Sequence, residues 1–129
     1  GLSSANRATC NMLRGVLDRD TAGGRLANAL AVPGENGTLR DRWQGSPAGI
    51  AVRAKSGTLS SVTGLSGWVK TPQGFDVSFS YLVNRPGAAI IEDDLIRQQQ
   101  LTEVLLAYPQ LPDPKKLAPE PVRPVDSTT

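Results

Sequence analysis

The amino-acid sequence predicts an α/β (α+β) fold in which an antiparallel sheet of three strands is flanked by helices. Residues 75–83 alternate between apolar and polar side chains, which is the pattern of a half-buried strand. A turn with proline early and glycine late joins this segment to an apolar run at residues 65–69, so the two form a hairpin. From residue 88 to residue 108 the apolar side chains recur at helical spacing instead. These patterns predict a C-terminal helix that packs on the sheet.

The elements before the hairpin are shorter. Thr9 is predicted to cap the first helix, because its hydroxyl can accept a hydrogen bond from a free amide of the first turn. Residues 25–30 are predicted to form a second short helix, and Thr38 is predicted to cap a turn of helix that extends to residue 43. Residues 50–54 are apolar enough for the third strand. The apolar stripe of the first helix consists of Met12, Leu13, Val16 and Leu17.

The C-terminal helix is predicted to present an apolar face to the sheet. Three acidic residues at its start would interact favourably with the positive end of the helix dipole. They are Glu92, Asp93 and Asp94. The predicted apolar face consists of Ile91, Leu95, Leu101, Val104 and Leu105. Six of the ten prolines follow Tyr108, so we expect one domain at residues 1–108 and an extended or disordered tail at residues 109–129.

Composition excludes several function classes. The net charge is only +2 and no basic run is interleaved with aromatic residues, so nucleic-acid binding is not expected. No stretch is long and apolar enough to span a bilayer. The chain has no histidine, which excludes a Ser-His-Asp triad and a histidine-ligated metal within it. Cys10 is the only cysteine and is expected to be a buried side chain of the first helix. We therefore predict neither a metal nor a cofactor.

The tetrapeptide Lys55-Ser56-Gly57-Thr58 is the strongest candidate for a functional site. It lies between the first predicted strand and the hairpin, and it combines a positive charge, two hydroxyls and a residue without a side chain. A Lys-[Ser/Thr]-Gly triplet on an edge strand is an active-site element of serine enzymes that react with penicillin. The triplet alone would fit an ordinary turn after a strand, so its surroundings decide the interpretation.

Those surroundings resemble class C low-molecular-mass penicillin-binding proteins, which are serine-type D-alanyl-D-alanine carboxypeptidases and endopeptidases. Gly1-Leu2-Ser3 with Asn6-Arg7 resembles their GLSxxNR segment. Residues 26–34 followed by Gly37-Thr38-Leu39 resemble their LxxLPvaG…GTL stretch, and residues 52–59 resemble vraKTGTL with Ser56 where threonine is usual. The matching segments occur in the family's order and extend to about Tyr108.

The resemblance implies a penicillin-binding transpeptidase-like fold and a role for each residue of the tetrapeptide. Lys55 and Thr58 would be catalytic, Lys55 through its charge and Thr58 through a backbone amide of the oxyanion hole. Ser56 and Thr58 would bind the terminal carboxylate of the substrate, and Gly57 would let the substrate lie against the strand.

The resemblance also implies partners. The family's Ser-x-x-Lys and Ser-x-Asn elements are absent here in a matching context, so the nucleophile is expected on an N-terminal portion, missing or separate. The ligand would be a peptidoglycan stem peptide or a β-lactam, and the location would be extracytoplasmic. Two alternatives remain open at this stage: a β-lactamase, and a non-catalytic envelope protein that keeps the fold to bind peptidoglycan.

Overall fold

The computed structural model describes residue 3 and residues 5–110. Within them the elements follow the predicted order, with a single turn of 3-10 helix at Gly37–Leu39 before the first strand. The helices are α1 (Cys10–Leu17), α2 (Arg25–Ala29) and α3 (Glu92–Leu105), and the strands are β1 (Val52–Thr58), β2 (Val62–Lys70) and β3 (Asp76–Asn84). None of the helices among these residues is both long and apolar enough to cross a membrane.

The three strands form one antiparallel sheet in the order β1-β2-β3. Gly67 lies at the centre of the sheet, between Ala54 of β1 and Phe79 of β3. A Cβ atom at Gly67 would lie 2.7 Å from the Cα atom of Ala54, so only glycine allows this close approach of the strands. The predicted α+β fold with three strands and a C-terminal helix is confirmed.

Helices cover both faces of the sheet. Leu65 and Val69 of β2 pack on one face with Phe79, in a core to which Leu101 and Leu105 of α3 contribute. Because successive side chains of a strand point to opposite faces, Trp68 lies on the other face. There it packs with Leu17 at the end of α1 and Ala27 of α2. Both tryptophans are buried, and Trp43 belongs to the first core.

The predicted apolar face of α3 is partly wrong. The side chains of α3 that are fully or almost fully buried are Asp94, Gln98 and Thr102, which recur every four residues. Ile91 and Val104, predicted to face the sheet, are 49% and 47% exposed. The physical reason is that each buried polar side chain has a partner that satisfies it, so its burial does not leave an unpaired polar group.

The predicted role of α1 is also only partly confirmed. The Thr9 hydroxyl accepts a hydrogen bond from the Met12 amide, as expected of the cap. Of the predicted stripe, however, Met12 and Val16 are 61% and 55% exposed, and Leu17 is buried. Cys10 is exposed, so the expectation of a buried thiol is wrong. The physical reason is that the described residues leave this outer side of α1 largely uncovered.

The predicted domain boundary at residue 108 stays a prediction. Most of the expected proline-rich tail, residues 111–129, lies outside the described residues.

Candidate active site

The Lys55-Ser56-Gly57-Thr58 tetrapeptide forms the second half of β1, at the edge of the sheet. The first half of that edge is closed, because the Ala54 amide donates to the carbonyl of Ala31 at 3.0 Å. The Ala51 carbonyl accepts from the Lys70 amide of β2, so odd-numbered residues of β1 direct their backbone groups towards β2. By the same alternation the backbone groups of Ser56 and Thr58 point outward, along the open half of the edge.

Lys55 is exposed and places its ammonium group on this outer edge. Its Nζ donates a hydrogen bond to the carbonyl oxygen of Ser56. In the register of the sheet Lys55 lies opposite Ser66, whose hydroxyl pairs with that of Ser80 at 2.9 Å. A positive charge therefore lies on the outward-facing edge of the strand, bonded to the Ser56 carbonyl.

Gly57 opens onto a cavity of about 330 Å³. An ideal Cβ atom built on Gly57 would find no heavy atom within 4 Å beyond Gly57 and its two chain neighbours, and the φ of Gly57 lies outside the left-handed region. The opposite residue, Gly64, is different, since a Cβ there would lie 2.7 Å from Cδ2 of Leu82. Packing within the described chain therefore favours glycine at position 64 but does not require it at position 57. Apolar side chains that line this cavity are Leu13, Leu59, Val62 and Leu82.

The Thr58 side chain is held from behind by a chain of hydrogen bonds. Its hydroxyl pairs with the Thr63 hydroxyl at 2.8 Å, and Thr63 accepts from Nε2 of Gln98 at 3.1 Å. Thr63 and Gln98 are both fully buried, so water does not compete for the bond between them. The chain connects the end of β1 to α3 through the middle strand. It therefore fixes the orientation of Thr58.

A half-buried cation continues this network. Arg42 donates to Oε1 of Gln98 at 3.1 Å and to the carbonyl of Leu95 at 2.9 Å. Its guanidinium also lies 4.5 Å from the ring centroid of Trp43, in a cation–π contact. Burial lowers the pKa of Arg42 from its ordinary value.

The turn after β1 is anchored to the start of α3. The Ser60 carbonyl accepts from the Ile90 amide and the Ser61 carbonyl from the Arg85 amide, both at 2.8 Å. Arg85 then forms a two-pronged ion pair with Asp94, at 2.7 and 2.9 Å. These hydrogen bonds lower the pKa of the Asp94 carboxyl below its ordinary value. The serines of this turn thus act through their backbone.

Comparison with known proteins identifies the family. The profile of the D-Ala-D-Ala carboxypeptidase 3 (S13) family matches residues 1–105. The chain belongs to this family. A D-alanyl-D-alanine carboxypeptidase from Actinomadura sp. (strain R39) is 43% identical over an alignment of 61 residues, and the match covers 43% of this chain and 11% of that protein. This S13 chain therefore spans about a tenth of the curated relative that it matches.

Solved structures agree with the fold of an S13 protein. Penicillin-binding protein 4 from Haemophilus influenzae, determined with a β-lactam, matches with a TM-score of 0.69 and 24% identity. The match covers 83% of this chain and 27% of that one. A predatory endopeptidase from Bdellovibrio bacteriovorus, acylated by penicillin G and bound to an immunity protein, matches with a TM-score of 0.51 and 21% identity, over 80% of this chain and 29% of that one. The resemblance inferred from the sequence motifs is confirmed.

Sequence reasoning missed two residues beside the S13 tetrapeptide. Thr38 was expected to cap a turn of helix, but it lies inside the 3-10 turn and its hydroxyl pairs with that of Ser56. Gln98 has the appearance of a solvent-facing residue in a polar stretch of α3, yet it is fully buried behind Thr58. The signal that could have found Gln98 is its spacing of four residues from Asp94 and from Thr102.

Proposed function

We propose that this chain is the C-terminal portion of a serine-type D-Ala-D-Ala carboxypeptidase that cleaves peptidoglycan stem peptides and is acylated by β-lactams. The observation that carries the proposal is the open half of the β1 edge. There the backbone groups of Ser56 and Thr58 point outward beside the Lys55 ammonium, in a chain of the S13 family. An edge strand of this kind can bind an extended peptide as an added strand.

Each residue of the tetrapeptide has a role in this reaction. A serine hydroxyl attacks the carbonyl carbon between two D-alanines, the C–N bond breaks, D-alanine leaves with a proton, and water then hydrolyses the ester. The Thr58 amide donates to the oxyanion that forms on that carbonyl. Ser56 and Thr58 hydroxyls bind the terminal carboxylate, and the Lys55 charge stabilises the developing negative charge.

Gly57 supports the proposal independently of the motif. Folding of the described chain gains nothing from glycine at this position, because an alanine methyl would point into the open cavity. A ligand that must approach the strand closely does require it.

The nucleophile in this proposal lies on another segment. No Ser-x-x-Lys sequence occurs anywhere in the 129 residues. The apolar wall of Leu13, Val62 and Leu82 beside the tetrapeptide gives such a segment a surface on which to pack. The partner is therefore the N-terminal portion of the same enzyme. Because the substrate is peptidoglycan, the complete enzyme would act outside the cytoplasm.

The test uses the complete enzyme and a peptide that ends in D-Ala-D-Ala. We expect the enzyme to release D-alanine from this peptide, and we expect benzylpenicillin to inhibit the release. Rapid turnover of penicillin without D-alanine release would instead indicate a β-lactamase. Binding of peptidoglycan with neither reaction would indicate a non-catalytic envelope protein, and either of these outcomes would contradict the proposal.

A further inference from the structure

A hydroxyl that belongs to none of the roles above lies against the proposed carboxylate site. Thr38 is part of the 3-10 turn Gly37–Leu39, and its Oγ1 forms a hydrogen bond with Oγ of Ser56. The two residues are 18 positions apart in the sequence. The contact therefore depends on how the fold places the turn beside the strand.

The turn is fixed on both sides. Leu39 is fully buried in the main core, which anchors the end of the turn. Gly37 has a φ of 61°, and a Cβ there would lie 3.0 Å from the Cβ of Ala31. Ala31 is the residue that pairs with Ala54 on the edge of β1. Thr38 is thus held where the closed half of the edge ends and the open half begins.

The chemistry of two paired hydroxyls decides what Thr38 does. Each hydroxyl has one hydrogen to donate and two lone pairs that accept. A carboxylate can only accept, so Ser56 must give its single hydrogen to the carboxylate when the substrate binds. The Ser56 oxygen can then accept from Thr38, which becomes the donor of the pair. Hydrogen bonds in such a chain strengthen one another, and the bond to the charged carboxylate is the stronger kind.

We propose that Thr38 is a positioning residue of the carboxylate site: it donates to Ser56, selects one rotamer of that side chain and aims its hydrogen at the terminal carboxylate of the ligand. This inference rests on the proposed function, in which Ser56 binds that carboxylate. A serine side chain without a partner can occupy three staggered rotamers. The bond to Thr38 keeps the hydroxyl at the open edge before the ligand arrives.

The experiment compares Thr38→Val with Thr38→Ser in the complete enzyme. Valine matches threonine in shape but has no hydroxyl, whereas serine keeps the hydroxyl. We expect Thr38→Val to lower the second-order rate of acylation by fluorescent penicillin about threefold to tenfold, the effect of one net hydrogen bond. Thr38→Ser should restore most of that rate. Thr21→Val, which removes another exposed hydroxyl, serves as the matched control and should leave the rate unchanged.

Two further measurements separate positioning from a structural role. In a Ser56→Ala background, Thr38→Val should change the rate of acylation less than about twofold. A change of that size is close to the experimental error of a double-mutant cycle. With peptides that end in D-alaninamide instead of D-alanine, Thr38→Val should lower the rate of hydrolysis less than with the acid peptide, because a neutral amide oxygen accepts a weaker hydrogen bond from Ser56 than a carboxylate does. The loss with the acid peptide should appear mainly in KM.

The outcomes distinguish this inference from the function on which it rests. If the wild-type enzyme is labelled and Thr38→Val labels at the same rate, the inference is wrong and the proposed function stands. An equal loss on the acid and the amide peptides, or full additivity with Ser56→Ala, would also contradict it, since Thr38 would then not act through Ser56. If the wild-type enzyme is not acylated at all, the proposed function fails and this inference fails with it.

Discussion

Replacing Gly57 with alanine separates the folding role of this residue from its proposed role in catalysis. Apart from Gly57 and its two chain neighbours, no heavy atom of the described chain lies within 4 Å of the position that the new methyl would take, and the backbone is not left-handed there. The change therefore costs the fold no steric energy and reduces the conformational freedom of the unfolded chain. Such glycine-to-alanine changes stabilise by about 0.4–1 kcal/mol.

Acylation by the same variant should fall steeply. The methyl points into the cavity of about 330 Å³ beside the strand. In the proposed function the ligand lies there, close to the backbone. A displacement of the ligand by about 1 Å can cost roughly a hundredfold in rate. We expect the rate of labelling by fluorescent penicillin to drop by about tenfold to a hundredfold. Urea unfolding of the same preparation measures the stability.

Gly67→Ala is the control that shows the opposite behaviour. Its Cβ would lie 2.7 Å from the Cα and 2.8 Å from the Cβ of Ala54, so this variant should lose about 1–3 kcal/mol of stability. If Gly57→Ala labels as fast as the wild type, no ligand lies against this part of β1, and the reasoning is refuted. If Gly57→Ala loses as much stability in urea unfolding as Gly67→Ala does, the conclusion that packing does not require Gly57 is wrong.

Further predictions test the charge beside the strand and the support behind it. Lys55→Ala removes an exposed side chain, so far-ultraviolet circular dichroism should stay unchanged while acylation falls by about two to three orders of magnitude. Gln98→Met leaves buried polar partners unsatisfied, so it should lower the free energy of unfolding in urea by about 1–3 kcal/mol. The control is Gln100→Met, at an exposed position, which should change the free energy of unfolding by less than about 0.5 kcal/mol. The pKa of Asp94 is lowered by its bonds to Arg85, so its contribution to stability is present above the unfolded pKa and is lost as the pH falls through the lower folded pKa. The stability difference between wild type and Asp94→Asn should therefore shrink as the pH falls below the ordinary pKa of an aspartate, about 4, and a difference that is constant with pH would contradict the ion pair.

The hairpin was predictable because its signal is local. Alternation along β3 and the turn residues at 71–74 are properties of adjacent residues, and the structure has the same hairpin, with Gly74 at a φ of 88°. Even so, Phe79 is the only residue of β3 that is buried, since the helices cover the sheet only in part. Alternation predicts which face a side chain points to, but not how completely that face is covered.

The polar side of α3 was not predictable from periodicity. Gln98 and Thr102 are buried because distant segments supply their partners, Arg42 for the first and the indole of Trp43 for the second. A pattern based on hydrophobicity assigns such residues to solvent. The buried side of the helix depends on side chains 56 and 59 residues away, which are not adjacent in any local window.

The sequence was sufficient to identify the tetrapeptide of the candidate site, but not the contacts that surround it in the fold. The tetrapeptide, its edge strand and its order among the family's segments are sequence properties. The contact of Thr38 with Ser56 is not, because it depends on the 3-10 turn and on the pairing of Ala31 with Ala54. The exposure of Met12 was likewise not predictable, since a sequence pattern assumes that each apolar side chain finds a cover within the chain.

The central claim is that this chain supplies one wall of an acylating site and another segment supplies the nucleophile. The most direct measurement is intact mass of the complete enzyme after benzylpenicillin, followed by peptide mapping of the modified residue. The account predicts one adduct, on a serine that lies outside these 129 residues and is followed three positions later by a lysine, and a greatly slowed adduct in Lys55→Ala. An adduct on a serine within this chain, or labelling that does not depend on Lys55, would contradict it.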